Sequence, residues 1–306
     1  MQSKVKQIKI NYSKLSCDKD TQLLLYKTEN AKKAYQKLRP FTDPDILNQI
    51  RSFYKTDCVW SSEALEGNTI SQGETQIMIE EGVTVDGHPI NDILRTTGHA
   101  EAFDEAFNMI NNKAITCADI KKLHNLIIGR VQPTIAGHYK TKPNFITGSE
   151  YTTIPPEQIP EEMERLDNWL KERTDKENPI LLAAETHRKL VYIHPFMDGN
   201  GRVARLAMNT ILIQNGYLPI GISPYMKRDY NSALELGRQG NMDAFYRFIA
   251  EAEYETEKDF CRYMNIEIPT VSKETINESV AELTKLTTPE IPDSDTPSKK
   301  DTYDAI

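Results

Sequence analysis

Apolar residues recur at spacings of three and four along "PDILNQIRSFYKTDCVWSSEALEG", "AEAFDEAFNMI", "ADIKKLHNLIIGRV", "PEEMERLDNWLKER", "ILLAAETHRKLVYI" and "RVARLAMNTILIQNG", the period of helices that bury one face. The pattern predicts a mainly α protein. In two of these stretches, from about Pro179 to Ile193 and from about Asn200 to Asn215, apolar positions run almost all the way round, which marks helices buried on every side. Gly67 and Gly216 read as helix stops, and Pro143, Pro155 and Pro156 bracket the non-helical "YKTKPNFITGSEYTTIPP". β-branched and aromatic residues around a turn predict a short β-hairpin there.

The ends of the chain read differently. The first 55 residues offer amphipathic pieces such as "NAKKAYQKL" without a recognition motif. From residue 266 to residue 306 the composition turns to Thr, Ser, Pro, Asp, Glu and Lys, which buries too little apolar area to offset its ordering entropy, so a disordered tail is expected.

Composition narrows the function classes. Of the 306 residues 39% are hydrophobic, and the net charge is -8. That charge argues against binding to nucleic acid, which normally takes a basic face. Cys17, Cys58, Cys117 and Cys261 stand far apart with no metal spacing, so reduced thiols are expected. With no apolar leader and no apolar run of membrane-spanning length, neither a membrane partner nor a location other than the cytoplasm is expected.

Between the two all-round apolar helices lies "HPFMDGNGRVAR". Burying its polar groups unpartnered would cost a few kcal/mol each, so a function is sought for them. Pro195 discourages helix continuation at His194, while Gly199 and Gly201 permit a sharp turn that exposes N–H groups. Coupled to the next helix's N-terminus, that turn makes a nest suited to phosphate. Arg202 and Arg205, three residues apart, share a helix face and can clamp a polyphosphate. Asp198 is the hard oxygen ligand expected to hold Mg²⁺ on phosphate oxygens. His194 is the natural general base.

"HPFMDGNGRVAR" matches the HxFx(D/E)GNGRxxR motif of Fic domains at every specified position, and "AGHYKTKPNFITG" resembles the segment leading into the Fic target-docking flap. The resemblance runs from about Trp60 to Met264. It implies a Fic-type helical bundle with a short β-hairpin flap, and transfer of AMP from ATP to a Ser, Thr or Tyr hydroxyl of a protein. By the same resemblance His194 is the base, Asp198 the Mg²⁺ ligand, and Gly199, Asn200 and Gly201 the anion hole. Arg202 contacts phosphate and Arg205 anchors the γ-phosphate. Asn144, Phe145, Ile146, Thr147 and Gly148 form the flap that aligns the target segment. Tyr230 and Asn231 fall where base contacts are found. Some relatives have a second Tyr where Asn231 stands and an Asn where Arg238 stands, so another nucleotide such as UTP stays open. Lys140 replaces the usual Arg of the flap approach.

"SSEALEGN" places Glu63 and Glu66 near the end of their helix, where acids oppose the macrodipole. Ser62, Glu66 and Gly67 also match the Fic inhibitory motif (S/T)xxxE(G/N), which implies that Glu66 pairs with Arg205 and denies it to the γ-phosphate. In some relatives the same Glu is needed to remove AMP. The implied division is 1–55 as an N-terminal extension, 56–94 as inhibitory helix and connection, 95–265 as catalytic core, and 266–306 as tail. Self-modification and a homo-oligomer remain open, as do two alternative functions: a metal-dependent phosphodiesterase or kinase-like transferase, and a nucleotide-binding module without turnover. His187 reads as a core or supporting histidine, and His88, His99, His124 and His138 belong to no cluster legible in the sequence.

Overall fold

A computed structural model describes residues 6–7, 10, 12, 14–36, 44–84, 86–146 and 151–269. Among these, ten α-helices follow one another: α1 (Lys19–Gln36), α2 (Pro44–Leu65), α3 (Gln72–Glu81), α4 (Ile90–Asn108), α5 (Cys117–Ile128), α6 (Ile159–Arg173), α7 (Pro179–Ile193), α8 (Asn200–Gln214), α9 (Lys227–Arg238) and α10 (Asp243–Tyr263). The fold is mainly α, as the pattern of apolar positions predicts. The expected divisions at 55 and 94 fall inside α2 and α4. No described helix is long and apolar enough to cross a membrane.

The pair α7 and α8 forms the centre. Every residue of α7 from Ile180 to Ile193 is buried, and α8 is buried at all positions but Gly201 and Gln214. The burial of α7 includes Glu185, Arg188 and Lys189, a cost that only close pairing offsets. The Glu185 carboxylate accepts from Arg188 Nε at 2.7 Å, from Arg188 Nη2, from Lys189 Nζ at 2.8 Å and from Tyr246 Oη at 2.9 Å. The surplus positive charge lies on aromatic faces: Arg188 over Tyr192, and Lys189 over Trp169 and Tyr12. Asn178 caps the start of α7 by accepting from the N–H groups of Ile180 and Leu181.

The amphipathic N-terminal pieces form α1, which packs on α10 through Ala31 and Tyr35, both fully buried. A helix absent from the apolar pattern, α3, starts at a capping box: Glu74 N–H donates to Ser71 Oγ, and Ser71 N–H to the Glu74 carboxylate. Its weak amphipathy, with Ile77 exposed, hides it from a periodicity argument. In the expected hairpin region Phe145 bridges Thr152 in antiparallel fashion, and β2 (Tyr151–Thr152) pairs in parallel with β1 (Lys6–Gln7). Thr147, Gly148 and the tail beyond Pro269 lie outside the described residues.

One pair of acids in the α1–α10 seam stands apart. Glu253 and Glu257 occupy successive turns of α10 with no exposed surface. Tyr35 Oη donates to Glu257 at 2.9 Å, and Lys32 lies close enough to favour the charged forms, with its Nζ over the Tyr217 ring. Burial dominates, followed for Glu253 by repulsion from Glu257, and both carboxyls are held above the ordinary 4.5, Glu257 at about 8. A carboxyl raised in the folded state stabilises the fold below its unfolded value and loses that contribution as pH rises through the folded value. Glu257's contribution to melting temperature is therefore expected to fall as pH rises from about 4.5 to about 8 and to level off above that. Glu257→Gln should flatten this slope in thermal melts across that range.

Candidate active site

The reversal from α7 to α8 begins at His194, which closes α7 in the left-handed region (φ 52) with its N–H on Leu190 O. A non-glycine residue in that region costs on the order of 1 to 2 kcal/mol. The ring is oriented by the Val191 carbonyl, 3.3 Å from Nδ1. A carbonyl only accepts, so Nδ1 carries the proton and Nε2 keeps a free lone pair. Burial, and then the Lys140 ammonium, push His194 down to about 4, so the imidazole is neutral at neutral pH.

The loop is clamped by Asn200, whose side chain accepts from Phe196 N–H at 2.9 Å and donates to Phe196 O at 2.8 Å. That side chain is spent on the loop, leaving Asn200 its backbone N–H for a ligand. Gly199 sits at φ 75, and a Cβ there would come within 3.0 Å of Ile128 and 3.3 Å of the His124 ring. His124 supports the loop from below: it accepts at Nδ1 from Gly137 N–H, donates from Nε2 to Asp198 O, and stacks on Phe196 with centroids 3.7 Å apart. Burial lowers it to about 4, consistent with a neutral ring that both accepts and donates.

Asp198 receives Gly199 N–H at 2.6 Å and Arg202 Nη2 at 3.0 Å on one oxygen, and Gln132 Nε2 at 2.7 Å on the other. Burial alone would raise this carboxyl, but Arg202 and the two hydrogen bonds outweigh it and hold the group below its ordinary value. Helix α8 then starts without a side-chain cap, leaving its first N–H groups directed at the cleft.

The two arginines of the motif meet carboxylates from α2. Arg205, almost fully buried, donates from Nε to Ser62 Oγ at 2.8 Å and from Nη2 to Ser62 O at 3.0 Å and Glu66 Oε1 at 2.7 Å. Desolvation would raise Glu66, but the guanidinium keeps it below the usual carboxylate range. Gly201 is needed for this approach, since a Cβ would stand 2.4 Å from Glu66 Oε1 and 3.0 Å from Arg205 Nη1. Gly67 ends α2 at φ 92; its N–H goes to Ala64 O and that of Asn68 to Glu63 O, a Schellman end. One turn earlier, buried Glu63 lies 3.6 Å from Arg202 Nη1 and accepts from His99 Nδ1 at 2.9 Å.

Above these groups opens a cavity of about 320 Å³ lined by Glu66, Ile146, His194, Gly201, Arg205, Tyr230, Asn231 and Arg238. Tyr230 is buried with its hydroxyl 2.9 Å from His187 Nε2 and 3.5 Å from Arg205 Nη1, while Asn231 is exposed at the rim. His187 is fully buried, as a core position requires. Of the flap, Asn144 donates to Phe196 O at 2.9 Å, Ile146 reaches the cavity and Phe145 is 81% exposed. His124, Gln132, His99 and Glu63 support the loop and arginines without any motif to mark them.

A buried helix pair joined by this loop, with a bridged flap segment at its mouth, is the architecture of Fic-domain proteins. Residues 114–212 match the model of the Fic/DOC family, so the chain carries a Fic domain over this stretch. The match holds the flap residues 144–148 and His194 to Arg205, while Glu66 and Tyr230 lie outside it. The chain is 35% identical over 214 residues to "Protein adenylyltransferase Fic" of Nematostella vectensis, covering 67% of this chain and 48% of the relative. It is 34% identical over 212 residues to the protein of the same name from Drosophila grimshawi, covering 67% and 42%. The chain thus spans about half the length of the curated relatives it matches. Among solved structures, residues 134–508 of Fic-1 from C. elegans align with a TM-score of 0.70 at 26% identity, covering 80% of this chain and 73% of that one. A Fic domain containing signaling protein from Bacteroides thetaiotaomicron aligns with a TM-score of 0.70 at 25% identity, covering 80% and 100%.

The dependence of the loop on His124 is open to measurement. His124→Ala leaves Gly137 N–H and Asp198 C=O without their partner and is expected to cost about 2 kcal/mol or more in denaturant unfolding.

Proposed function

We propose that the chain is a protein adenylyltransferase held in check by Glu66. It transfers AMP from ATP to Ser, Thr or Tyr hydroxyls of proteins, itself included. The observation that carries this reading is a neutral His194 with Nε2 free, facing a cavity whose floor is the uncapped start of α8 and Arg205.

In this reading His194 Nε2 takes the proton of the target hydroxyl as its oxygen attacks the α-phosphorus of ATP. The bond from that phosphorus to the bridging oxygen of the β-phosphate breaks, and pyrophosphate leaves. Backbone N–H groups at Asn200 and Gly201, with Arg202, hold the phosphate oxygens as negative charge shifts among them. Arg205 anchors the γ-phosphate, so the α-phosphate is turned toward His194. The flap residues Asn144 to Gly148 align the target chain by main-chain pairing. The curated relatives' name, which specifies adenylyl transfer to protein, supports the same assignment.

The donor set fits magnesium in a limited way. Among the described residues no group of three or more His, Cys, Asp or Glu is arranged to hold a metal ion. Asp198 is nevertheless held in its charged form and partly exposed, and Mg²⁺ commonly uses one carboxylate plus substrate oxygens. Asp198 would hold the ion, whose charge would neutralise phosphate oxygens of the nucleotide.

Restraint by Glu66 is supported by its ion pair with Arg205 and by its place above Gly201, where a phosphate at the start of α8 would sit. Glu66→Gly should raise autoadenylylation in a labelled-ATP assay by about tenfold or more, the factor that about 1.4 kcal/mol of competing interaction represents. His194→Ala in that background should abolish the label. Mass spectrometry reading AMP on a protein hydroxyl supports transfer of a nucleotidyl group; a phosphate there, or no adduct, sinks it.

A further inference from the structure

Lys140 is an unusual residue to find beside such a base. It is 3% exposed, and its ammonium donates to two neutral groups, Asn144 Oδ1 at 2.8 Å and Thr153 Oγ1 at 2.9 Å. Asn144 precedes the Phe145–Thr152 bridge and Thr153 follows it, so one side chain ties both stems of the flap. Thr153 Oγ1 in turn donates to Asn144 O at 2.9 Å. The assembly continues into the catalytic loop: Asn144 Nδ2 donates to Phe196 O at 2.9 Å, and Lys140 N–H donates to Pro195 O at 2.8 Å, the carbonyl next after His194.

The ammonium also acts at a distance. Its bonded partners carry no charge to cancel it, and burial removes the water that would screen it. Burial lowers Lys140 itself to about 8, which leaves it charged at neutral pH. The groups that bear on His194 are Lys140 from the flap approach, Arg238 from α9, Glu66 from α2 and the Val191 carbonyl from α7. After burial, Lys140 has the largest influence, and it opposes protonation of the ring. Structurally it does what an arginine would do there, as a charge with several donors.

Resting on the assignment of His194 as the base, we propose that Lys140 is a positioning residue of the transfer reaction: it locks both flap stems to the His194 loop and sets a buried positive charge against a second one on the ring. A merely structural lysine would alter the rate at every pH alike. A lysine that tunes the base also moves the acid limb of the pH profile.

The test uses the full chain carrying Glu66→Gly, with Lys140→Gln, which retains a hydrogen-bond donor without the charge, and Lys140→Arg, which retains both. AMP transfer from labelled ATP is followed between about pH 4 and about pH 8, and the His194 ring is titrated by NMR in the nucleotide-free protein. Lys140→Gln should raise the ring midpoint and the acid limb together by about one pH unit, so that near pH 4 it loses about fivefold more of its neutral-pH rate than its parent does, against about twofold near pH 5. Lys140→Arg should restore both midpoints. If neither midpoint moves in Lys140→Gln, the proposal is overturned while His194 stands as the base. If the ring midpoint rises and the acid limb stays, the base assignment falls, and the proposal with it. Should Lys140→Gln fail to fold, Lys140→Met and the Lys140→Arg titration supply the same comparison.

Discussion

Helices α7 and α8 are buried on all sides and lie along each other, so the chain must reverse between them within a handful of residues that are themselves covered. That constraint organises the rest of the molecule. A reversal this tight needs left-handed backbone at His194 and Gly199, and it strips hydrogen bonds from the groups it turns. The molecule replaces them from every side: Asn200 clamps Phe196, His124 supports Asp198 O, and Asn144 and Lys140 reach the carbonyls after His194. The groups left without such partners, Nε2 of His194 and the first N–H groups of α8, face the one side from which a ligand can arrive. The functional geometry is the part of the reversal that the scaffold leaves open.

Electrostatics follows the same logic at three places in the core. Arg188 is held by Glu185, Arg202 by Asp198 and Glu63, and Arg205 by Glu66. A buried guanidinium without a carboxylate would cost several kcal/mol, so each arginine has an acid at hand. The three differ in permanence. The Arg188 pair lies away from the cavity, beside a separate pocket that it lines with Tyr246. Arg205 borders the cavity, and an arriving triphosphate offers this arginine the same charge that Glu66 supplies.

What the amino-acid sequence reveals depends on how local each determinant is. The pair α7 and α8 was legible because all-round burial leaves an apolar run, and the loop was legible because base, carboxylate, glycines and arginines fall within twelve residues. The pairing of Glu66 with Arg205 was accessible only through a motif match, since 139 residues separate the two. Glu63 reads as a solvated acid from local pattern, because its partners His99 and Arg202 come from other helices. His124 was equally silent, and Lys140 was marked only as a replacement for an arginine: their role lies in hydrogen bonds to main-chain atoms or to neighbours across a turn, and such bonds leave no periodicity. The buried charges of α7 show the converse, where an apolar pattern conceals an ionic network completed by Tyr246 from α10.

The spacing of the two contacts on α2 has a mechanical consequence. Glu63 and Glu66 are three residues apart, as are Arg202 and Arg205, so adjacent turns of two helices meet rung against rung. The rungs are unequal. Glu63 lies inside α2, almost without exposure, and is fixed to His99. Glu66 is the last residue before Gly67, exposed, and held by a helix end whose unwinding breaks the two hydrogen bonds of the Schellman turn and that from Glu66 N–H to Glu63 O. Fraying of that turn would withdraw Glu66 from Arg205 while leaving Glu63 beside Arg202 and His99. In the proposed restraint, therefore, the arginine that would anchor the nucleotide's far phosphate is the one whose carboxylate sits at a helix end and can be replaced by an arriving phosphate, which supplies the charge that Arg205 would otherwise lack.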